Sequence, residues 1–182
     1  MTDSSHSFTR EEIAPVITVS LISALRVILR NINALLYRST SLHQFATFFL
    51  ARLNHDGTRL RFSNAGHNWP VVVRANGERV FLEAGGTVLG ALEGIDFEEA
   101  EIDLTPGDRI VLYTDGISEA MDGSGEQFGE TRLVEMIDRL PRELCAREVA
   151  ERMLAGLRDF LGELEAQDDM TLLVIRVLEP TA

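Results

Sequence analysis

Cysteine is almost absent from this sequence, and its scarcity excludes several kinds of protein. The single cysteine, Cys145, has no partner in the chain, so an internal disulfide framework and a cysteine-rich zinc site are both excluded. A reducing, cytoplasmic setting fits this composition best. Because Cys145 lies between Leu144 and Ala146, we expect it to be a small core residue.

Basic residues are also in short supply. The 182 residues contain 17 Lys and Arg against 29 Asp and Glu, a formal net charge of −12. No basic run occurs, and a sequence pI near 4.7 means that a phosphate backbone would be repelled. The composition therefore disfavours nucleic acid as a partner.

A hydrophobic run long enough to cross a membrane is missing as well. The longest uncharged apolar run, Ile13 to Leu25, is shorter than the about 18–20 residues that a bilayer span needs. Glu11 and Glu12 stand where a signal peptide would carry positive charge, and Arg26 ends the run. We interpret the run as part of a buried helix and expect no membrane association.

What the chain does contain is typical of a folded, soluble domain. Hydrophobic residues make up 45% and charged residues 25% of the sequence, too apolar for intrinsic disorder. Residues 1–182 contain no repeat, low-complexity tract or linker, which predicts a single domain. Apolar residues on nearly every side predict a mostly buried helix from Glu11 to Leu29, and a second short helix is expected around Ile32 to Tyr37.

The middle of the chain has the patterns of antiparallel strands. Strands are predicted in Phe45 to Asn54 and Arg59 to Ser63, which are joined by Asp56-Gly57. A second hairpin is predicted around Asn76-Gly77, a pair suited to a type I′ turn, and it joins Trp69–Arg74 to Arg79–Leu82. An acidic solvent-facing strand is expected between Phe97 and Leu104.

The last third of the chain mixes strands and helices. Arg109 to Thr114 is a predicted buried strand, Thr131–Leu140 and Arg147–Leu161 are predicted helices, and Met170 to Leu178 has the composition of a central strand. Together these elements predict an α+β domain built on antiparallel sheets.

Carboxylates adjoin two of the most apolar strands. Asp115 follows Val111 to Thr114, and Asp168-Asp169 precedes Met170 to Leu178. Carboxylates held at strand ends suit a hard cation such as Mg²⁺ or Mn²⁺. A turn signal and a solvated loop end would give the same residues, so this pattern alone leaves both interpretations open.

Other candidate side chains carry weaker signals. His67, in Asn64-Ala-Gly-His-Asn68, fits a ligand or a general acid, and it fits equally a histidine that hydrogen-bonds its own loop. Ser118 and Glu119 have no visible base and orienting group, which argues against a nucleophilic triad.

An ordered set of motifs resembles the SpoIIE/RsbU branch of the metal-dependent PPM-type serine/threonine phosphatases. The set consists of Asn64-Ala-Gly-His-Asn-Trp-Pro70, Val88-Leu-Gly90, Leu104-Thr-Pro-Gly-Asp108, Tyr113-Thr-Asp-Gly116, Glu119-Ala120, Phe128-Gly129 and Asp168-Asp-Met-Thr171. The resemblance covers about Leu21 to Leu178, most of the chain.

The resemblance implies an α/β/β/α sandwich of two antiparallel sheets flanked by helices, with a metal site at one edge of the sheets. It implies a pair of Mn²⁺ or Mg²⁺ ions that hold the water attacking a phosphoserine or phosphothreonine. Asp115 matches an aspartate that binds one metal, Asp168 matches a second, and Asp169 is its reserve neighbour. Gly116 and His67 are assigned to loops bordering the site.

One part of the family pattern is missing from this sequence. The family places a bridging metal aspartate in an Asp-x-Ser-Gly-His-Gly strand before the first helix, and only Asp3-Ser4-Ser5-His6-Ser7 echoes it. We therefore expect a domain that begins inside its fold without the first strands, or a degenerate site. Weak binding of a single ion is the corresponding expectation, because Mg²⁺ dehydrates reluctantly for few ligands.

Three interpretations of function follow. The first is a phosphatase acting on a phosphorylated regulatory protein, typically a STAS-domain anti-sigma-factor antagonist. The second is a catalytically weak or inactive phosphatase-fold module that binds the same partners. The third is a fragment that folds poorly because sheet edges are left unpaired. The sequence leaves open whether the chain forms a homodimer.

Overall fold

The computed structural model describes residues 24–40 and 44–179. The helices in this part of the chain are α1 (Leu25–Ser39), α2 (Asp115–Ser118), α3 (Gly129–Arg139) and α4 (Ala146–Leu161). The strands are β1 (Phe48–Leu53), β2 (Arg59–Ala65), β3 (Val71–Val73), β4 (Arg79–Phe81), β5 (Gly85–Gly86), β6 (Ala100–Asp103), β7 (Arg109–Tyr113) and β8 (Leu172–Arg176).

The first sheet is built around β2. Strand β1 pairs antiparallel with one side of β2, which confirms the hairpin at Asp56-Gly57. Strand β6 pairs antiparallel with the other side of β2, and the two-residue strand β5 pairs parallel with the end of β2. The expectation of purely antiparallel sheets is therefore wrong for this one short pair.

The second sheet has the order β4-β3-β7-β8, and all its pairs are antiparallel. Met170 to Leu178 was expected to be a central strand, but β8 pairs only with β7 among the described residues. A continuous apolar run signals burial of the faces of a strand and does not specify its number of neighbours. Leu173 on β8 is in fact 50% exposed.

Three apolar clusters lie between four successive layers of helix, sheet, sheet and helix, which confirms the α/β/β/α sandwich. One cluster joins alternate residues of the second sheet, including Val71 and Val111, to α3 and α4. Between the two sheets, Leu60 and Phe62 pack with Val72 and Ile110. The third cluster joins α1 to the outer face of the first sheet. Neighbouring residues point to opposite faces because side chains alternate along a strand.

Helix α1 is continuous from Leu25 to Ser39, so the expected second short helix is not separate. Neither glycine nor proline interrupts this stretch, and a single stripe of Leu25, Leu29 and Asn33 is buried. The Asn33 side chain donates to the Leu92 carbonyl at 2.9 Å and accepts from the Gly90 amide at 2.8 Å. The part of the predicted buried helix before Ala24 lies outside the described residues. No helix in the described ranges is long and apolar enough to cross a bilayer.

Two local expectations are corrected by backbone geometry. The turn after β3 is a three-residue loop, because the Arg74 amide donates to the Glu78 carbonyl at 2.8 Å and the Gly77 amide donates back to Arg74 at 2.9 Å. Only Gly77 is left-handed there, with φ +92°, so the turn is not type I′. Cys145 is exposed rather than buried, because it caps the start of α4.

Asp108 is a buried carboxylate whose hydrogen bonds stabilise the fold. It accepts from the Arg74 guanidinium at 2.8 Å, from the Ala75 amide at 2.9 Å and from the Thr105 amide at 3.0 Å. Burial raises the pKa of the Asp108 carboxyl, but the hydrogen bonds from Thr105 and Arg74 outweigh burial, and the net pKa lies below its ordinary value.

Asp108→Ala should lower the free energy of unfolding at pH 7 by about 3–5 kcal/mol, because it leaves the Arg74 charge unpaired. A depressed folded-state pKa contributes stability above the unfolded pKa of about 3.9 and loses it as the pH falls through the folded value. Urea unfolding should therefore show a smaller loss near pH 2 than at pH 7. Asp103→Ala is the control, since its 3.0 Å ion pair with Arg59 is exposed and should contribute less than about 1 kcal/mol.

Candidate functional site

The candidate site lies at the edge of the second sheet where β7 ends and β8 begins. Tyr113 and Leu172 are the last paired residues there. Beyond them, the Thr114 amide donates to the Thr171 carbonyl at 3.1 Å, and the Thr171 amide donates to the Thr114 hydroxyl at 2.9 Å. The Thr114 hydroxyl in turn donates to the Asp169 carbonyl at 3.2 Å. These contacts hold the segment around Asp115 beside the segment of Asp168 and Asp169.

Gly116 is the point of closest approach between the two segments. A Cβ atom built on Gly116 would lie 2.4 Å from the Asp169 carbonyl oxygen and 3.4 Å from the Asp168 carbonyl carbon. No side chain fits at such distances, so the absence of a side chain at residue 116 is what allows the segments to pack.

The three aspartates at this edge are exposed. Asp115 accepts a hydrogen bond from the Gly116 amide at 2.9 Å, and Asp168 accepts one from the Asp169 amide at 2.7 Å. Each of these bonds joins neighbouring residues and leaves lone pairs on the carboxylate free. The structure thus places the backbones of Asp115 and Asp168 together, while convergence of their carboxylates on one ion stays a prediction.

A cleft of about 240 Å³ adjoins this edge, and sequence reasoning missed part of its lining. It is lined by Gly116, Glu119, Ala120, Met121, Gln167 and Asp168. The Glu119 amide donates to the Asp115 carbonyl at 2.7 Å, so Glu119 lies one helical turn beyond Asp115. That i, i+4 spacing was the available signal, because it brings residues to the same side of a helical turn.

His67 lies in the loop between β2 and β3, half-buried. Its backbone exchanges hydrogen bonds with the Asn64 side chain, at 2.7 and 2.9 Å, and its Nδ1 lies 3.4 Å from the Thr47 hydroxyl. Burial lowers the pKa of His67, and the charge of Asp115 opposes part of that shift. His67 is therefore a loop-bonded histidine that is also close enough to Asp115 to feel its charge.

The carboxylate oxygens at this edge are donors of the type that a hard cation binds. Carboxylate oxygens are the ligands that Mg²⁺ and Mn²⁺ prefer. Within residues 24–40 and 44–179, no group of three or more His, Cys, Asp or Glu is arranged to hold a metal. The described part of the site therefore supplies oxygen donors of the right type but no set of three such side chains arranged around one point.

Comparison with known proteins identifies the family. Residues 5–178 match the family model described as stage II sporulation protein E (SpoIIE). The chain belongs to the SpoIIE family. This match confirms the assignment to the SpoIIE/RsbU branch of the PPM-type phosphatases that the ordered motifs predicted.

Curated and solved relatives agree with the SpoIIE assignment. The phosphoserine phosphatase RsbU of Bacillus subtilis (strain 168) is 30% identical over 156 residues, which is 82% of this chain and 44% of RsbU. The solved SiaA-PP2C domain of Pseudomonas aeruginosa is 25% identical with a TM-score of 0.71, over 83% of this chain and 60% of that one.

A further structure confirms the fold alone. It contains the PP2C phosphatase domain and a fragment of the regulatory domain of SpoIIE from Bacillus subtilis, and it is 18% identical with a TM-score of 0.72. The match covers 92% of this chain and 48% of that one. This SpoIIE-family chain thus spans less than half the length of RsbU and of that SpoIIE structure.

Proposed function

We propose that this domain is a protein serine/threonine phosphatase that acts on a phosphorylated regulatory protein of the STAS type. The observation that carries the proposal is the packing of Gly116 against the Asp168–Asp169 backbone, which brings two carboxylate-bearing segments to one sheet edge. Membership of the SpoIIE family and the similarity to a phosphoserine phosphatase support it.

In this proposal Asp115 and Asp168 hold one Mn²⁺ or Mg²⁺ ion, and Asp169 is the reserve ligand. When bound, such an ion lowers the pKa of coordinated water and neutralises charge on a phosphoryl group. The sheet supplies rigidity, because Thr114 fastens both segments through the three hydrogen bonds already described. Rigid placement of the ligands reduces the entropy lost on forming the reactive arrangement.

Glu119 lines the cleft beside Asp168, and His67 lies in a separate depression that is near enough to Asp115 for the charge of that carboxylate to act on its imidazole. Burial lowers the pKa of His67, and this direction favours the neutral imidazole over a positive charge near an ion. Glu119 is exposed and lines the cleft with Asp168. We infer that Glu119 helps to orient the phosphorylated segment and water at the mouth of the cleft, and that His67 contributes to the surface next to it.

The proposed partner is a small phosphoprotein in a pathway that regulates a sigma factor. The names of the relatives RsbU and RsbP describe phosphoserine phosphatases. A cytoplasmic setting, suggested by the single cysteine, is part of the same proposal.

One observation favours a second candidate, a phosphatase-fold module that binds the partner with little or no turnover. The sequence has no Asp-x-Ser-Gly-His-Gly motif, and the described residues contain no cluster of three metal-binding side chains. A single weakly held ion would leave the phosphoryl charge only partly neutralised.

A phosphate-release assay on a serine-phosphorylated STAS domain, with Mn²⁺ or with EDTA, tests both candidates. We expect slow Mn²⁺-dependent release that is lost in Asp115→Asn, and hydrolysis of a generic aryl phosphate barely above the metal-only control. Calorimetry should show that the STAS domain still binds Asp115→Asn. Binding without any release would select the second candidate, and the absence of both would contradict both.

A further inference from the structure

The second sheet carries a row of arginines at the end opposite the candidate site. Arg79 on β4, Arg109 on β7 and Arg176 on β8 share one register line, with Val73 between the first two. Residues on one such line point to the same face of a sheet. Val73 packs in the cluster beneath α3 and α4, so this face is the one that the helices cover.

Arg109 and Arg176 lie directly opposite each other. The Val177 amide donates to the Asp108 carbonyl at 2.9 Å, so the adjoining pair of Arg109 and Arg176 is the non-hydrogen-bonded one. In that kind of pair the Cα atoms are about 4.5 Å apart and the side chains are at their closest. Like charges placed this way are destabilising unless an anion lies between them.

The buried donors of these two arginines are incompletely satisfied. Arg109 is 0% exposed, and within the described part of the chain its guanidinium makes one hydrogen bond, from Nη2 to the Pro141 carbonyl just beyond the end of α3. Nε and Nη1 of Arg109 and Nε of Arg176 are buried, and no residue in the ranges 24–40 and 44–179 forms a hydrogen bond with them. Each such donor costs about 1–3 kcal/mol.

Neighbouring charged residues add to the excess of positive charge around Arg109. Arg142 lies close enough to Arg109 that, after burial itself, it contributes most to lowering the pKa of that guanidinium. Two acidic residues lie nearby: Asp138 pairs with Arg79 through Oδ2 and leaves a buried Oδ1 without a hydrogen-bond partner among the described residues, and Glu143 is exposed. This excess of positive charge stands out in a chain of net charge −12.

We propose that the distal arginine cluster, meaning Arg79, Arg109, Arg142 and Arg176, binds an oxyanion of the phosphate type. The guanidinium fork presents paired N–H donors that match phosphate oxygens, and the unpartnered Nε and Nη atoms are donors of that kind. Arg142 and Arg176 are partly exposed, and both are close enough to the buried Arg109 for their charges to act on its guanidinium.

This cluster is separate from the candidate metal edge. Strand β7 runs from Arg109 to Tyr113, four steps of about 3.3 Å each, so the two sites are about 13 Å or more apart. Inorganic phosphate and a phosphorylated side chain share the chemistry that the cluster recognises.

Thermal unfolding in sodium phosphate against sodium chloride, at matched pH and ionic strength, tests the proposal with phosphate itself as the probe. A ligand that binds only the folded state raises the melting temperature. We expect phosphate to raise the melting temperature of the parent chain by several degrees. A similar rise with O-phosphoserine would show that the cluster also accepts a phosphorylated serine side chain. Arg176→Gln should lose the phosphate response while being at least as stable as the parent in chloride, because it removes a like-charge contact.

Two controls locate the response. Arg158→Gln, an exposed arginine on α4, should keep the parent's phosphate response. Asp115→Asn should keep it too, since the cluster lies at the other end of β7. A response lost in Asp115→Asn but kept in Arg176→Gln would place phosphate at the metal edge and overturn the proposal. Equal melting temperatures of the parent in phosphate and chloride would overturn it as well.

Discussion

Gly116→Ala should separate the two halves of the candidate site. The added Cβ would lie 2.4 Å from the Asp169 carbonyl oxygen, a distance that real Cβ atoms do not adopt, so the Asp168–Asp169 segment must move. Overpacking against backbone should lower the free energy of unfolding by about 1–3 kcal/mol. Mn²⁺ affinity should fall at least about 10-fold, because a displacement of an ångström is enough to spoil a rigid site.

The matched control is Gly123→Ala. Its Cβ would meet no atom within 4 Å, and its φ is not positive. It should change the free energy of unfolding by less than about 0.5 kcal/mol and leave Mn²⁺ binding intact. Urea unfolding and calorimetric titration of both variants give the comparison. Equal behaviour of the two variants would show that close packing at Gly116 is unimportant for the site.

Asp115→Asn should remove metal binding while leaving the fold unchanged. The side chain is exposed, and its one hydrogen bond, from the Gly116 amide, can be accepted equally by an amide oxygen. The free energy of unfolding should therefore change by less than about 0.5 kcal/mol. Mn²⁺ affinity should fall at least about 100-fold, since even changes in groups that only support metal ligands cost up to that much.

Asp159→Asn, an exposed aspartate on α4, is the control for the loss of one negative charge. It makes the net charge less negative by the same one unit and should leave Mn²⁺ affinity unchanged. Undiminished affinity in Asp115→Asn would show that the ion is held elsewhere and that the Thr-Asp-Gly resemblance misplaced it.

The strands could be predicted from the sequence because alternation and turn residues report which faces are buried, whereas the layer order was implied only by the family resemblance. The run from Arg109 to Thr114 became β7, and the strand-end position of Asp115 followed from it. The edge position of β8 could not be predicted in this way. Its apolar side chains are only partly buried, and its neighbours depend on which other strands reach it.

Within the site, the family resemblance assigned Asp115 and Asp168 as candidate ligands but did not indicate which contacts support them. Asp115 and Asp168 are 53 positions apart by their numbers, and only the β7–β8 register brings them to one edge. The close contact at Gly116 involves the Asp168–Asp169 backbone, which is distant in sequence, so no local pattern predicts it. The burial of Arg109 could not be predicted from the sequence either. The sequence shows a charged residue at the start of a strand and gives no sign that α3 and Pro141 cover it.

A double-mutant cycle of Mn²⁺ affinity with Asp115→Asn, Asp168→Asn and the double variant tests most directly whether the two carboxylates share one ion. If they do, each single change should remove most of the affinity, and the double variant should lose little more than either one, giving a coupling energy above about 1 kcal/mol. Effects that add within about 0.5 kcal/mol, as they do for independent sites, would contradict a shared ion. Parent-like affinity in Asp168→Asn would contradict it too.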